Sequence, residues 1–61
     1  MKMWICRSLD NNLTLHLNEP EWFDKIEVWS DVATELDHRE YPEVTFENSP
    51  MEVELVLKSK V

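Results

Sequence analysis

The sequence predicts a mainly β domain: a single small antiparallel sheet, a meander of four or five strands, with a short helical turn between Asp31 and Tyr41. Three observations carry this. Met51, Val53, Leu55 and Leu57 recur at every second residue with Glu52, Glu54 and Lys58 in alternate places, the period of a strand with one buried face. Lys2 to Leu17 holds two apolar-rich runs on either side of Asp10-Asn11, the pattern of a hairpin. Ile26 to Ser30 alternates again, with Ile26 and Val28 against Glu27 and Trp29.

Taken in order, the hairpin comes first. Asp10-Asn11 tolerates the left-handed conformation of a type I′ turn in a chain that contains no glycine. A two-residue turn there sets Cys6 opposite Leu15 and Trp4 opposite Leu17. Trp4, Cys6, Leu13, Leu15 and Leu17 then share the core side, and Ile5, Arg7, Thr14 and His16 the other. A longer loop through Ser8 to Asn12 is the competing arrangement, and a slip of one residue sets Met3 and Ile5 against the leucines instead. Asn18 to Lys25 is polar and broken by Pro20, yet holds the adjacent aromatics Trp22 and Phe23, which cannot both point inward from an extended segment. Between Ser30 and Glu40 two readings compete. Ser30 is a suitable N-cap and Val32 with Leu36 has helical spacing, whereas a short strand at Thr34 to Leu36 followed by a helical turn fits equally. Pro42 pushes Tyr41 toward extended backbone, and Val44 and Phe46 alternate with Glu43, Thr45 and Glu47. Asn48-Ser49-Pro50 reads as a turn into the closing strand, where only Val56 interrupts the polar row.

Sixty-one residues make one domain, 1–61, and a chain of this size hides only about 60% of the surface its unfolded form exposes. The single cysteine closes no internal disulfide and no Cys/His spacing suggests structural zinc, so neither metal nor cofactor is expected. Three tryptophans, each able to bury roughly 200 Å², partly compensate. The formal charge is −7, and from Glu19 to Glu54 twelve acids meet only Lys25 and Arg39. Such a field repels nucleic acid and anionic membrane and draws basic surfaces, so no nucleic-acid binding is expected beyond mimicry of nucleic acid itself. The apolar run after Lys2 stops at Arg7, well short of a membrane span or secretory core, and with the lone cysteine this points to the cytoplasm.

Several fragments together, Ile5-Cys6-Arg7, Leu13-Thr14-Leu15, Leu36-Asp37, Tyr41 to Glu47, Pro50 and Val53-Glu54-Leu55, resemble a group of short uncharacterised open reading frames carried by bacteriophages and prophages of gut bacteria. Members often have glycine where Asn11 stands and tryptophan where Phe46 stands. The resemblance implies a compact, mostly β domain of mobile-element origin, and brings no catalytic or binding residue with it.

The chemistry-bearing side chains do not assemble into a catalytic set. Cys6 beside a histidine would make a nucleophile, but the hairpin register above points Cys6 and His16 to opposite faces, so a buried, inert thiol is expected. His16 and His38 lack the converging donors of a metal site, and His38 lies in the charged turn Asp37-His38-Arg39-Glu40. Glu52 and Glu54 stand about 7 Å apart on one strand face, which is also what the wet side of any strand provides. The expected function is therefore a non-enzymatic, acidic interaction module that binds a protein partner. Trp22 and Phe23, rimmed by Glu19, Glu21 and Asp24, and the carboxylates of Glu52 and Glu54 are its candidate binding residues. A homo-oligomer built through a sheet edge or the second sheet face is the alternative.

Overall fold

The computed structural model describes residues 2–54, so the continuation of the closing segment from Leu55 to Leu57, with Val56 and Lys58, lies outside them. Among the described residues six strands follow one another: β1 (Lys2–Arg7), β2 (Leu13–His16), β3 (Trp22–Phe23), β4 (Val28–Trp29), β5 (Val32–Leu36) and β6 (Met51–Glu54). Four form one antiparallel sheet in the order β5-β2-β1-β6, and β3 with β4 forms a separate two-stranded ribbon. The molecule is thus mainly β, but not a plain meander. After β2 the chain builds the ribbon, returns along the free side of β2 as β5, and crosses to the far side of β1 for β6.

The hairpin register departs from the two-residue expectation. Arg7 pairs with Leu13, Cys6 with Thr14, Ile5 with Leu15 and Trp4 with His16. Ser8 N–H donates to Asn12 O at 2.9 Å and Asn11 N–H to Ser8 O at 3.0 Å, leaving a three-residue loop, Leu9 to Asn11, in which Asn11 has φ 76°. A three-residue loop of this kind ends on a left-handed residue, and Asn is the usual substitute for Gly there. One more loop residue shifts the pairing by one and exchanges the faces of the partner strand. Ile5, Arg7, Leu13 and Leu15 therefore share one face, while Trp4, Cys6, Thr14 and His16 share the other. Leu17, expected inside, is 50% exposed.

No helical turn occurs between Asp31 and Tyr41. Ser30 does not cap a helix because β3 uses it: its hydroxyl accepts from Glu21 N–H at 2.8 Å and its N–H donates to Glu21 O at 2.9 Å. Asp31 then takes φ 53°, which stops a right-handed helix from starting. Val32 to Leu36 instead pairs with β2, with an irregularity at Leu15/His16 that places Val32 beside His16 on one face and Leu36 beside Leu13 on the other. The i,i+4 spacing of Val32 and Leu36 thus spans a bulge, not a helical turn. Asp37 to Glu40 is a tight turn closed by Glu40 N–H to Asp37 O at 2.9 Å.

Two further expectations fail in the next segment. Tyr41 is left-handed, φ 48°, despite preceding Pro42, and Val44 to Glu47 is irregular rather than a strand. Its alternation is still used: Val44 is fully buried and Phe46 half-buried, delivered by turns in which Val44 N–H donates to Tyr41 O and Thr45 N–H to Asn48 Oδ1. Beyond the Ile5–Met51 pair, Arg7 N–H donates to the Ser49 hydroxyl at 2.9 Å.

Both faces of the sheet are therefore covered. On one, Ile5, Leu13 and Val44 form a small core flanked by Leu15, Leu36, Met51 and Val53. On the other, Cys6, Thr14 and His16 lie under the ribbon, whose Ser30 and Asp31 carbonyls reach His16. Trp29 is buried, and its indole N–H reaches back to Arg7 O at 3.3 Å. The closing segment and the hairpin lie edge to edge in one sheet, with Met51 and Val53 opposite Ile5 and Met3.

Candidate functional site

Arg7 is the side chain to which most of the chain is tied. It closes β1, is buried on the leucine face, and its guanidinium meets five backbone carbonyls. Nε donates to Val44 O at 2.6 Å, Nη1 to Asn11 O at 3.0 Å and His38 O at 2.9 Å, and Nη2 to Glu40 O at 3.1 Å and Tyr41 O at 3.2 Å. Nη1 also lies 3.1 Å from Asn11 Oδ1. No carboxylate of the described residues pairs with it. A planar fork with five N–H groups can satisfy such a ring, which a lysine ammonium with three cannot. The guanidinium borders a shallow hollow lined by Leu9, Arg39, Pro42 and Phe46, but its donors are committed to carbonyls and Arg39 is held by Asp37 at 2.9 Å. The sequence expectation set Arg7 on the face away from the core, whereas it is buried beside Leu13; a charged residue within a strand whose neighbours are buried was the available signal.

His16 plays the corresponding part on the other face. It is fully buried, with Nδ1 at 2.8 Å from Ser30 O and 3.2 Å from Asp31 O, so Nδ1 carries hydrogen because carbonyls only accept. Nε2 lies 2.8 Å from Thr14 Oγ1. Cys6 shares this face, contrary to the expectation that it points away from His16. The two still form no reactive pair, since both ring nitrogens are occupied elsewhere and burial pushes the Cys6 thiol up to about 12. Among the described residues every buried side-chain nitrogen and oxygen has a partner, and no group of His, Cys, Asp or Glu is gathered as metal ligands.

The four binding candidates divide. Trp22 belongs to an aromatic cluster, with its ring centroid 5.2 Å from Trp29 and 4.9 Å from Phe46, the latter edge to face. Phe23, the next residue on a strand, points the other way and is 45% exposed. Glu52 and Glu54 are exposed on β6, opposite Trp4 and Lys2, and Glu52 lies 3.9 Å from Lys2 Nζ. No hydrogen bond or ion pair among the described residues joins the β3 pair to the β6 pair. His38 is exposed beside Asp37, whose carboxyl is held below the usual carboxylate range by the side chain and backbone N–H of Arg39.

What the sequence did not single out is the apolar surface beyond Phe23. Ile26 is 68% exposed, Val28 43% and Val32 49%, and they stand among Asp24, Glu27, Asp31 and Glu35 on the ribbon and β5. The signal was present: with Trp29 turned inward, the strand period turns Val28 outward. No helix of the described residues is long and apolar enough to cross a membrane. Comparison with protein-family models, curated proteins and solved structures finds no match to this chain.

Proposed function

We propose that this chain is a small, non-enzymatic, acidic interaction module that binds a protein partner, working in the cytoplasm and of the phage origin its resemblance implies. One observation carries the reading: Phe23, Ile26, Val28 and Val32 leave apolar surface in water on the ribbon and β5, interleaved with carboxylates. Apolar side chains rimmed by charge suit a protein surface of complementary charge, the apolar part supplying affinity and the charge supplying orientation and encounter rate. Support also comes from the interior, where the Cys6 thiol and the His16 imidazole are both committed to packing and hydrogen bonds. Glu52 and Glu54 extend the acidic exterior along β6.

The test is capture from a bacterial host lysate followed by titration with the purified partner. Phe23→Ser is expected to weaken binding at least tenfold without moving the thermal midpoint, and Glu52→Lys to weaken it less and in a salt-dependent way. A partner indifferent to both variants overturns the reading. A second reading, self-association, is favoured by the shallow apolar trough of about 350 Å³ bounded by Met3, Ile5, Leu15, Leu36, Tyr41 and Val53. Light scattering at high micromolar concentration decides it, a monomer mass counting against it.

A further inference from the structure

We propose that the outer edge of β5 is the docking site of this module, and that it takes an extended peptide of alternating basic and apolar residues as a fifth strand of the main sheet. The proposal rests on the interaction-module reading and names its surface and ligand class.

β5 lies at the end of the strand order and pairs with β2 alone. Among the described residues no other backbone–backbone hydrogen bond reaches Val32 to Leu36, so the outer row of N–H and C=O groups has no backbone partner there, and Glu35 O meets only the neighbouring Thr34 hydroxyl, which donates to it at 3.5 Å. A bare strand edge is a template for strand addition. β5 contains no proline and no lysine and four of its five residues are exposed, so its protection is limited to short length, Glu35 and the irregularity opposite Leu15/His16. Five residues at about 3.3 Å each give an edge roughly 17 Å long, enough to pair with about five residues of a peptide whose ends extend beyond it.

The two faces flanking this edge differ in chemistry, and that sets the alternation. Glu35 lies on the Thr14 side, where a hollow of about 380 Å³ is floored by Val28, Trp29 and Val32 and rimmed by Asp10, Glu27 and Glu35. None of these three carboxylates has a cationic partner among the described residues. A lysine or arginine directed to this side lays its aliphatic stem along the valines and the indole edge while its head meets the carboxylates. On the opposite face Leu36 and Leu15 border the apolar trough, so the peptide residues between the basic ones gain by being aliphatic.

Charge selects this ligand over a second copy of the chain. Antiparallel pairing of β5 with itself would bring two sets of Asp10, Glu27 and Glu35 to one side of a joint sheet, between molecules of formal charge −7 each.

The probe is the capped heptapeptide Lys-Val-Lys-Val-Lys-Val-Lys, with Glu-Val-Glu-Val-Glu-Val-Glu as control, titrated into the full chain and followed by amide chemical shifts and tryptophan emission. Saturable binding of the lysine peptide, shifts centred on Val32 to Leu36 and Trp29, and no response to the glutamate peptide are expected. Glu35→Lys should weaken binding at least tenfold with the thermal midpoint unchanged, whereas Glu43→Lys, the same charge change on a distant loop, should alter it less than twofold. Equal losses in the two variants would show diffuse charge attraction and overturn the proposal. So would shifts centred elsewhere, no binding at millimolar peptide, or a dimer in scattering that Glu35→Lys dissociates or strengthens. A captured protein partner whose affinity ignores Glu35→Lys but falls with Phe23→Ser would sink this edge and leave the module reading standing.

Discussion

Arg7 and His16 lie on opposite faces of the same two-stranded hairpin, and each is a polar group buried where a hydrocarbon would be expected. They differ in reach. His16 engages Thr14 on its own strand and the Ser30 and Asp31 carbonyls, so it fastens one ribbon to the sheet. Arg7 engages Asn11 in the adjacent loop and His38, Glu40, Tyr41 and Val44, so it fastens a segment more than thirty positions away. A burial cost is tolerable in either case because no donor is left over. The difference shows that the leucine face, with only three buried hydrophobics at its centre, depends on polar ties as much as on apolar area.

That contrast can be broken most sharply at Arg7. Arg7→Met is expected to cost about 3–5 kcal/mol, because four loop carbonyls and the Asn11 carbonyl lose their donor together. A chain this size has a total stability of only about 3–9 kcal/mol, so lost amide dispersion and a lost near-ultraviolet spectrum are the expected readouts. Arg7→Lys should recover little of it. His16→Leu comes next, at about 1–3 kcal/mol in urea unfolding, since fewer groups are orphaned and the leucine fills the space. If the His16 variant proves the more damaging, the ranking of the two ties is wrong.

Cys6 sharpens the comparison through pH. Its folded thiol lies near 12 against an ordinary value of 9.0, so below pH 9 both folded and unfolded chains hold the proton and stability is unaffected. Between about 9 and 12 the unfolded chain releases the proton first, and stability falls as pH rises. Urea midpoints at pH 7, 9 and 10.5 should decline only across the last interval, and alkylation at pH 8 should be slow until denaturant is added. The smallest effect expected is a gain. Glu27 has φ 54° in the β3–β4 turn, and Glu27→Gly should add about 0.5–1 kcal/mol by relieving the left-handed backbone, a rise of a few degrees in the melt.

Strand period was enough to place β1, β2, β6 and the mainly β class, since alternation survives any choice of register. The register itself turned on a single loop residue between Arg7 and Leu13, and a two-residue loop, Asp10-Asn11, and a three-residue loop, Leu9-Asp10-Asn11, are both compatible with a left-handed Asn11. The two-residue register put Trp4 on a single core side, whereas the ribbon covers the second face as well, so burial on one face could not decide the register. Ser30 looked like a helix cap until its hydroxyl was found on Glu21, a pairing visible only once β3 and β4 are joined. Of the binding candidates, adjacency on a strand foretold that Trp22 and Phe23 must diverge, but not which ring would join Trp29 and Phe46. The alternation of Val28 and the spacing of Val32 did not reveal their exposure, because which residue is left in water is decided by what packs elsewhere.

The carbonyl ring around the guanidinium also dictates the order in which the molecule can assemble. Four of its five acceptors come from residues 38–44, so a nascent chain that has emerged only as far as β5 carries a hairpin whose cation still needs water. The amino-terminal strands are therefore expected to gain full amide protection only once the segment after Leu36 has wrapped back, so a chain truncated after β5 should show none.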